Sequence, residues 1–355
     1  MEPLWELAVR LGAPVFNLLL PGSRIFLPYL AGAFLLAFLV YLARAAEAPG
    51  PAEGVRHGFL DFCFTRRIYA HRSALVDYRF YAANSLLKAF GLVPVLVGVP
   101  LVAEVTAGWL AALAPAGPST VGAAPATAGL PVGPLVQFGY TLALLVALDG
   151  GLFVAHYLQH RVPVLWEFHK VHHSAQVLTP ITLYRMHPVD DILAGTSTAL
   201  AMGAVVGAFN WRYGGDVAEF LVAGLNPGLF LFYLLGYNLR HSHIWLAYPR
   251  WLSGLLISPA QHQIHHSSAA VHFNKNLGFI FSFWDRMAGT LHLPTKPEPI
   301  TFGLGGGQDD QYDGVIALYT LPFRKAARRM LGPAPGRRPA RRGGPNRPPP
   351  CPPAP

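Results

Sequence analysis

Residues 156–173 read HYLQHRVPVLWEFHKVHH, a stretch of eighteen residues that holds five histidines. The first two histidines are four positions apart, and the last three are spaced as i, i+3 and i+4. On an α-helix these spacings place side chains on one face. Imidazole is the commonest protein ligand for first-row transition metals. The stretch therefore predicts two helical segments that offer their imidazoles to a metal.

Further histidines follow at similar spacings. The run QHQIHH at residues 261–266 repeats the i, i+3 and i+4 pattern, and HSH at residues 241–243 adds a pair. One triplet arises easily by chance, but two triplets and two pairs indicate a shared function. The spacing predicts metal ligands at His156, His160, His169, His172, His173, His262, His265 and His266.

This many imidazoles exceed the capacity of one metal ion. A structural zinc takes four protein ligands, and a catalytic zinc takes three and keeps an open position. Two metals with about four or five nitrogens each would use the whole set. Carboxylates are nearly absent among these candidates, which separates the site from soluble di-iron bundles that bind metal with Glu.

The composition is that of a membrane protein. The chain of 355 residues is 52% apolar and only 13% charged, too apolar for an ordinary soluble domain. Its apolar residues form blocks of about 20, the length that crosses a bilayer core as a helix. We therefore predict an all-α fold, a polytopic helical membrane protein with a cytosolic, histidine-rich cap. The expected spans are residues 25–42, 86–113, 135–155, 192–209 and 217–237, of which the second should be kinked by Pro94 and Pro100.

The last two blocks, 192–209 and 217–237, form a predicted transmembrane hairpin with a turn at residues 214–216. Two crossings return the chain to the side it left, so the early and late histidines share one face. Arg44 follows the first span and residues 45–85 are rich in arginine, which places that face in the cytoplasm.

The net charge of +9 does not indicate nucleic-acid binding, because much of the excess falls in the arginine-rich C-terminal tail. Basic residues beside membrane spans mark the cytoplasmic side and contact anionic lipid, so the expected partner is the bilayer. Cys63 and Cys351 are too few and too distant for a disulfide framework.

Composition also divides the chain into three parts. Residues 1–134 hold N-terminal spans and a cytosolic connecting segment, and residues 135–296 hold the histidine-bearing catalytic domain with the transmembrane hairpin. Residues 297–355 form a basic segment rich in Pro, Gly and Arg, which we expect to be disordered after about residue 333. The first span has no basic region ahead of it, so we expect a retained anchor.

A series of motifs follows in fixed order along residues 140–293: HYLQHR at 156–161, LWEFHKVHHS at 165–174, RMHP at 185–188, HSH at 241–243, QHQIHH at 261–266, NKNLG at 274–278, WDR at 284–286 and GT at 289–290. Together these motifs resemble the fatty acid hydroxylase/sterol desaturase superfamily, the membrane histidine-box di-iron oxygenases. Two positions depart from the pattern of that family. His243 stands in place of Asn, and Ala288 stands in place of the Phe before GT.

The resemblance implies a non-haem centre of two Fe²⁺ ions facing the cytoplasm, in a multi-pass membrane protein. It adds His187 and His241 to the ligand set. It also implies hydroxylation or desaturation of an alkyl C–H bond in a lipid, sterol or fatty-acyl substrate. Such a reaction uses O₂ and two electrons from a cytochrome or ferredoxin with its reductase. No catalytic side chain is expected beyond the metal centre, because the metal carries the chemistry.

Residues that ligate no metal can still hold the ligating rings in place through hydrogen bonds. His243, His272, Asn276 and Asp285 are the predicted residues of this kind.

The alternative function is a metal- or haem-handling membrane transport protein. It predicts ligands at several depths and polar residues within the spans. Here the spans are nearly free of polar residues and the histidines cluster at one end, so the sequence favours the oxidoreductase.

Overall fold

A computed structural model describes residues 4–47, 58–113, 132–214, 217–294 and 296–331. Within these ranges the regular structure is helical, and strand pairing is limited to isolated bridges. The predicted all-α fold is therefore confirmed. Residues 114–131, the tail after residue 333 and Cys351 lie outside the described residues, as do the predictions made for the tail.

The α-helices of the described ranges are α1 Leu4–Leu11, α2 Ala13–Phe16, α3 Leu27–Glu47, α4 Phe59–Cys63, α5 Arg66–Tyr69, α6 Arg72–Ala89, α7 Val99–Leu113, α8 Pro134–Arg161, α9 Pro163–His173, α10 Pro188–Tyr213, α11 Pro227–Leu234, α12 Arg250–Ser253, α13 Pro259–His265, α14 Phe283–Ala288 and α15 Val315–Leu331. Short 3-10 helices lie at Pro180–Tyr184, Tyr237–His241, Ala270–His272 and Asp309–Tyr312.

Three of these helices, α3, α8 and α10, are long and apolar enough to cross a membrane. Their apolar side chains face outward as lipid contact requires, and Leu135 on α8 is 83% exposed. Helix α10 packs closely against both α7 and α8. A Cβ at Gly207 would meet the Ala103 carbonyl oxygen of α7 at 2.4 Å, and one at Gly151 would meet Thr198 Cα at 2.7 Å. Small residues of this kind let membrane helices approach closely.

Two of the predicted spans are wrong. The block 86–113 is divided between the end of α6 and α7, and α7 has only 15 residues. At 1.5 Å per residue that helix is about 22 Å long, shorter than a hydrocarbon core of about 30 Å. The prolines at positions 94 and 100 allow α7 to begin only at Val99, since proline inside a helix breaks its hydrogen bonding.

The block 217–237 likewise contains only the eight-residue α11. Gly224 and Gly236 flank that helix with φ of 77° and 92°, left-handed values that interrupt a helix. Hydropathy alone did not reveal these breaks. Gly214 ends α10 in the left-handed region as well, while the other two residues of the predicted turn are outside the described ranges.

The chain nevertheless returns to the end from which α10 departs. Asn226 caps α11 and donates a hydrogen bond from Nδ2 to the Thr141 carbonyl of α8 at 2.8 Å. The 3-10 helix Tyr237–His241 then packs against α13. The early and late histidines therefore meet, as the predicted hairpin required.

Candidate metal centre

Nine of the ten histidines predicted as ligands converge in two adjoining groups. The five-histidine group contains His156, His160, His169, His173 and His265. The four-histidine group contains His172, His241, His262 and His266. In each group one nitrogen from every ring lies within 4.8 Å of the others. The groups touch, since the rings of His173 and His266 are 4.7 Å apart.

Helix geometry explains how four short segments supply both groups. Helix α8 contributes two rings one turn apart, and α9 follows it directly with Pro163 at its start. Helix α13 begins with a capping box in which Ser258 and Gln261 bond each other's backbone. Adjacent residues of a helix point about 100° apart. His172 and His173 therefore enter different groups, as do His265 and His266.

The four-histidine group has the donor spacing of a metal site. The Nε2 atoms of His241, His262 and His266 lie 3.2 Å from one another. Three nitrogens cannot satisfy three mutual hydrogen bonds, because each is either a donor or an acceptor. Nitrogens bound 2.0–2.1 Å from a tetrahedral ion lie about 3.3–3.4 Å apart. A cation bound by all three nitrogens would satisfy them, whereas hydrogen bonds among them cannot.

The five-histidine group fits a metal for a different reason. The Nε2 atoms of all five rings are buried and have no hydrogen-bond partner in the described part of the chain. Buried polar atoms without partners are costly. Five converging imidazoles with unused lone pairs are a donor set that suits iron, copper, nickel or zinc. The residues present therefore fit bound transition metal in both groups.

Burial also keeps these imidazoles in the form that binds metal. Burial, together with repulsion from the nearby His156, lowers the pKa of His172 to about 3. Burial, followed by repulsion from neighbouring histidines, holds the pKa of His262 and His266 well below the usual value. Neutral imidazole is the ligating form, so the site is prepared for metal at neutral pH.

Asp285 orients His156 through the backbone of Leu277. The His156 Nδ1 donates to the Leu277 carbonyl at 2.7 Å, which turns Nε2 toward the group. The Asp285 carboxylate accepts from the Leu277 and Gly278 amides, both at 2.7 Å. A Cβ on Gly278 would lie 2.8 Å from Asp285 Oδ2, so glycine is required for this approach.

Asn276 acts in the same way on the segment beside His265. The His265 Nδ1 donates to the Lys275 carbonyl at 3.0 Å. Asn276 donates from Nδ2 to the Gln261 carbonyl at 3.1 Å and accepts from the His292 amide at 2.7 Å. Its φ of 54° is left-handed, a conformation that Asn tolerates better than most residues. Asn276 and Asp285 thus lie beside the backbone carbonyls that accept from His265 and His156, and their orienting roles stay a prediction.

Asp190 supplies a carboxylate beside His169. Its Oδ2 lies 3.5 Å from His169 Nδ1, and both side chains are buried. A carboxylate behind a ligating histidine fixes the ring and raises its basicity. The neighbouring Asp191 faces away from the histidines and pairs with Lys88 at 2.9 Å.

Two residues that sequence reasoning did not single out hold α9 in place. Arg185 is 1% exposed and pairs with Asp77 of α6, with Nη1 to Oδ1 at 2.7 Å. Its Nε donates to the Val171 carbonyl at 2.9 Å, next to His172. The available signal was the cation within the motif RMHP, but its partner lies 108 residues away.

Asp149 explains the single acid within the α8 span. Its carboxylate accepts from the Ile280 amide at 2.6 Å, the Phe281 amide at 3.0 Å and the Trp284 indole at 2.9 Å. It therefore joins the loop before α14 to α8, about two helical turns before His156.

His187 differs from its predicted role as a ligand, because the structure brings it to neither group. Its Nδ1 accepts from the Val189 amide at 3.1 Å, which caps the start of α10. Its Nε2 donates to the Tyr319 carbonyl at 3.1 Å. Both nitrogens are therefore engaged, and the ring packs 5.0 Å from that of Phe168.

The remaining two predicted residues lie outside both groups. His243 donates from Nε2 to the Phe62 carbonyl at 2.7 Å and so fixes α4 rather than a ligand. His272 pairs with Glu298 at 2.9 Å.

Two cavities border the histidines. One of about 270 Å³ reaches the five-histidine group at His160, His173 and His265. The other, of about 470 Å³, is lined mainly by apolar side chains, which come from α3, the segment before it and the segments around Cys63, Ile181 and Leu239. Its wall includes Asn238 and Ser242, which flank His241 of the four-histidine group.

Fold and site together define a helical membrane protein with two adjoining histidine groups suited to transition metal. A family model described as fatty acid hydroxylase matches residues 141–290. This match lies over the histidine-bearing region and confirms the resemblance of the motifs to the fatty acid hydroxylase family.

Relatives of known function agree with this family. The chain is 30% identical over 204 residues to an ornithine lipid hydroxylase of Rhizobium tropici, which covers 56% of this chain and 55% of that protein. It is 28% identical to cholesterol 25-hydroxylase of Mus musculus, over 47% of this chain and 51% of that one. It is 27% identical to a Delta(7)-sterol 5(6)-desaturase of Eremothecium gossypii, over 44% and 40%. The chain thus spans about half the length, or less, of these relatives, and no solved structure matches it.

Proposed function

We propose that this protein is a membrane-bound non-haem di-iron oxidoreductase that uses O₂ and two electrons to hydroxylate an alkyl C–H bond of a lipid. The single observation that carries the proposal is the convergence of nine imidazoles in two adjoining groups of five and four. Two groups match two ions, and imidazole suits iron. The relatives named as lipid and sterol hydroxylases support the same chemistry.

The proposed ligands are the nine histidines of the two groups, with His187 left out. Bound iron would supply the one-electron chemistry that lets O₂ react with an unactivated C–H bond. In the overall reaction a C–H bond breaks and a C–O bond forms. The second oxygen atom leaves as water, with two electrons and two protons from a reductant. The protein's own residues hold the ligands, shape the substrate path and exclude water.

The apolar cavity supports a lipid substrate. It is bounded by Leu30, Phe34 and Ala37 of a candidate membrane span, so it borders the region where acyl chains reside. Its other wall at Asn238 and Ser242 adjoins the segment that carries His241. An alkyl chain lying there would bury part of its surface against these side chains, and burial of each CH₂ favours binding by about 0.8 kcal/mol.

The topology and the electron supply are further parts of the proposal. We place the histidine groups at the cytoplasmic face of a multi-pass protein, because arginines follow the first span. We retain 135–296 as the catalytic domain, with 1–134 and 297–355 as flanking segments. A cytochrome or ferredoxin with its reductase supplies the electrons. Arg161 lines the smaller cavity, as does Arg329, whose guanidinium pairs with Glu167.

The test is the chemical identity of the product. Cells that express the protein and cells that express the His172→Ala variant are compared by mass spectrometry of total lipids. We expect a lipid that has gained one oxygen atom, present only with the unaltered protein. A lipid that has lost two hydrogen atoms would assign desaturation instead, and the desaturase relative is consistent with that outcome. Identical lipids across a full range of supplied substrates would overturn the proposal.

A further inference from the structure

A third cluster of metal-binding side chains lies outside both histidine groups. His272 Nε2 is 2.9 Å from Glu298 Oε2, and His292 Nε2 is 3.2 Å from Glu298 Oε1. The two rings are 5.5 Å apart and meet edge to face. The ligand atoms of all three residues lie within 4.8 Å of one another.

The three residues come from three separate parts of the chain. His272 ends the 3-10 helix Ala270–His272, and His292 follows α14. Glu298 lies in the loop beyond, which has neither helix nor strand. His272 is buried, whereas the other two side chains are 29% exposed, so a cation has access from solvent. Both ion-pair partners of this carboxylate among the described residues are imidazoles.

We propose that His272, His292 and Glu298 bind a third metal ion, a Zn²⁺ with a structural role. Two imidazole nitrogens and one carboxylate oxygen are a donor set that zinc accepts, with water in the fourth position. All-oxygen sites serve Ca²⁺ and Mg²⁺, so the imidazoles disfavour those ions. The separations of 2.9 and 3.2 Å are hydrogen-bond distances. A zinc ion would replace these two hydrogen bonds and widen the separations to about 3.3–3.4 Å, the spacing around a tetrahedral ion with 2.0–2.1 Å bonds.

The position of the cluster gives the ion a task. The His292 amide donates to Asn276 Oδ1, and Asn276 in turn donates to the Gln261 carbonyl of α13. Lys275, the residue before Asn276, accepts from His265 Nδ1. A zinc ion that joins His272 to His292 closes the loop between them, residues 272–292, around this contact. It therefore fixes the segment that orients one ring of the five-histidine group.

Metal content measured on single-residue variants tests the proposal. Full-length protein is purified in detergent, incubated with excess ZnSO₄, passed through a desalting column and analysed for zinc and iron. The variant is Glu298→Gln, which keeps size and hydrogen bonding but removes the anionic ligand. The matched control is Asp313→Asn, which removes a carboxylate that pairs with exposed Arg72.

We expect Glu298→Gln to hold about one zinc per chain fewer than the unaltered protein. Its iron remains bound but is removed by chelator more easily, because the segment that orients His265 is held less firmly. The control should match the unaltered protein in both metals. Equal zinc in Glu298→Gln and unaltered protein would overturn the proposal, as would the absence of bound zinc from both. If Glu298→Gln fails to fold, X-ray absorption at the zinc edge of the unaltered protein decides. A first shell of two imidazoles and oxygens supports the site, and a shell of imidazoles alone overturns it.

The result is separable from the proposed function. If the protein holds no iron but still loses one zinc on Glu298→Gln, the proposed oxidoreductase function is contradicted and the third metal site is supported. A protein with iron and an unchanged zinc content would do the reverse.

Discussion

The two histidine groups are adjacent, but the protein holds their rings by different means. In the five-histidine group, His156 and His265 donate from Nδ1 to backbone carbonyls, and His169 faces Asp190. In the four-histidine group, the Nδ1 atoms of His241 and His262 have no hydrogen-bond partner among the described residues. Two rings of the first group are thus oriented by their own hydrogen bonds, whereas the rings of His241 and His262 are oriented by the segments that carry them.

The segments of the four-histidine group are joined by the side chains of Gln263 and Arg240. Gln263 of α13 donates from Nε2 to the Leu239 carbonyl at 3.0 Å and to the Ile244 carbonyl at 2.9 Å. Arg240 lies 4.7 Å from the ring of Phe232 and donates to the Ile257 carbonyl at 3.0 Å. Fold stability and metal affinity should therefore respond to different substitutions. Variants that disturb ring orientation affect one group, and variants that loosen the fold affect both.

The largest effect is expected from removing one ligand in each group. His265→Ala removes a ring from the five-histidine group and His172→Ala removes one from the other. Each should lower iron from about two to about one per chain, since two-metal sites hold their ions through separate ligands. Each should also reduce product formation by more than about 100-fold, beyond the loss seen when only a ligand's partner is removed. Elemental analysis and lipid product assays measure both.

His187→Asn is the matched control for these variants. Asn is a preferred residue at the start of a helix, so it can replace the cap that His187 gives to α10. The structure predicts that this variant keeps about two irons per chain, whereas the motif resemblance makes His187 a ligand. Loss of iron from His187→Asn would show that the ring moves into a group in the working protein.

Acid should destabilise the metal-free protein, because the buried imidazoles remain neutral when folded. Burial lowers the pKa of His172 to about 3 and that of His241 and His265 well below the usual value. The unfolded chain has imidazole pKa values of about 6.5, so below that pH it binds more protons than the folded chain. The free energy of unfolding therefore decreases as the pH is lowered, by up to about 1.4 kcal/mol per pH unit for each such group.

Thermal unfolding of chelator-treated protein in detergent, at intervals from pH 8 to pH 5, measures this dependence. The melting temperature should change little between pH 8 and pH 7 and fall below pH 6.5. Burial raises the pKa of Asp77 and Asp285, which opposes the trend, but these carboxyls are outnumbered by the histidines. A melting temperature that stays level down to pH 5 would mean that the rings are solvated.

The buried ion pair between Asp77 and Arg185 should matter for the fold as a whole. Asp77→Asn leaves the Arg185 cation buried without its counter-ion, which costs about 3–5 kcal/mol. Both side chains are at most 1% exposed. Arg185 also holds the Val171 carbonyl of α9, so both histidine groups should lose iron together.

The control is the exposed pair of Arg72 and Asp313, whose side chains are 85% and 57% exposed. Asp313→Asn should leave the melting temperature nearly unchanged, because exposed pairs contribute little. Equal shifts for Asp77→Asn and Asp313→Asn would contradict the view that α9 is held by a buried charge.

The grouping of the histidines could be anticipated from the sequence because the information is local. Spacings of three and four residues identify helix faces without knowledge of the fold. The doublets at 172–173 and 265–266 carry a further signal, since neighbours on a helix diverge and so belong to two sites. The structure divides them in that way.

What escaped prediction depended on contacts between distant segments. Asp77 and Arg185 pair across 108 residues, and nothing in either motif names the other. The resemblance of the motif RMHP implied that His187 is a ligand, but its Nε2 donates to the Tyr319 carbonyl of α15. The span predicted at 217–237 rested on hydropathy, which does not register the left-handed Gly224 and Gly236.

The smallest effect should come from a carboxylate that orients a single ring. Asp190→Asn removes the charge 3.5 Å from His169 Nδ1 but keeps the side-chain size. Loss of such a partner costs about 10- to 100-fold in metal affinity. We expect the iron of the five-histidine group to be lost at a lower chelator concentration, while the iron of the four-histidine group is retained.

Asp191→Asn is the control, because it alters the next residue of α10 and breaks only the pair with Lys88. Chelator titrations of the two variants and the unaltered protein, followed by iron analysis, give the comparison. Asp191→Asn should titrate like the unaltered protein. If Asp190→Asn released both irons at one chelator concentration, the groups would behave as a single cooperative site. Orientation of one ring would then govern the whole centre, and the distinction between the two groups would fail.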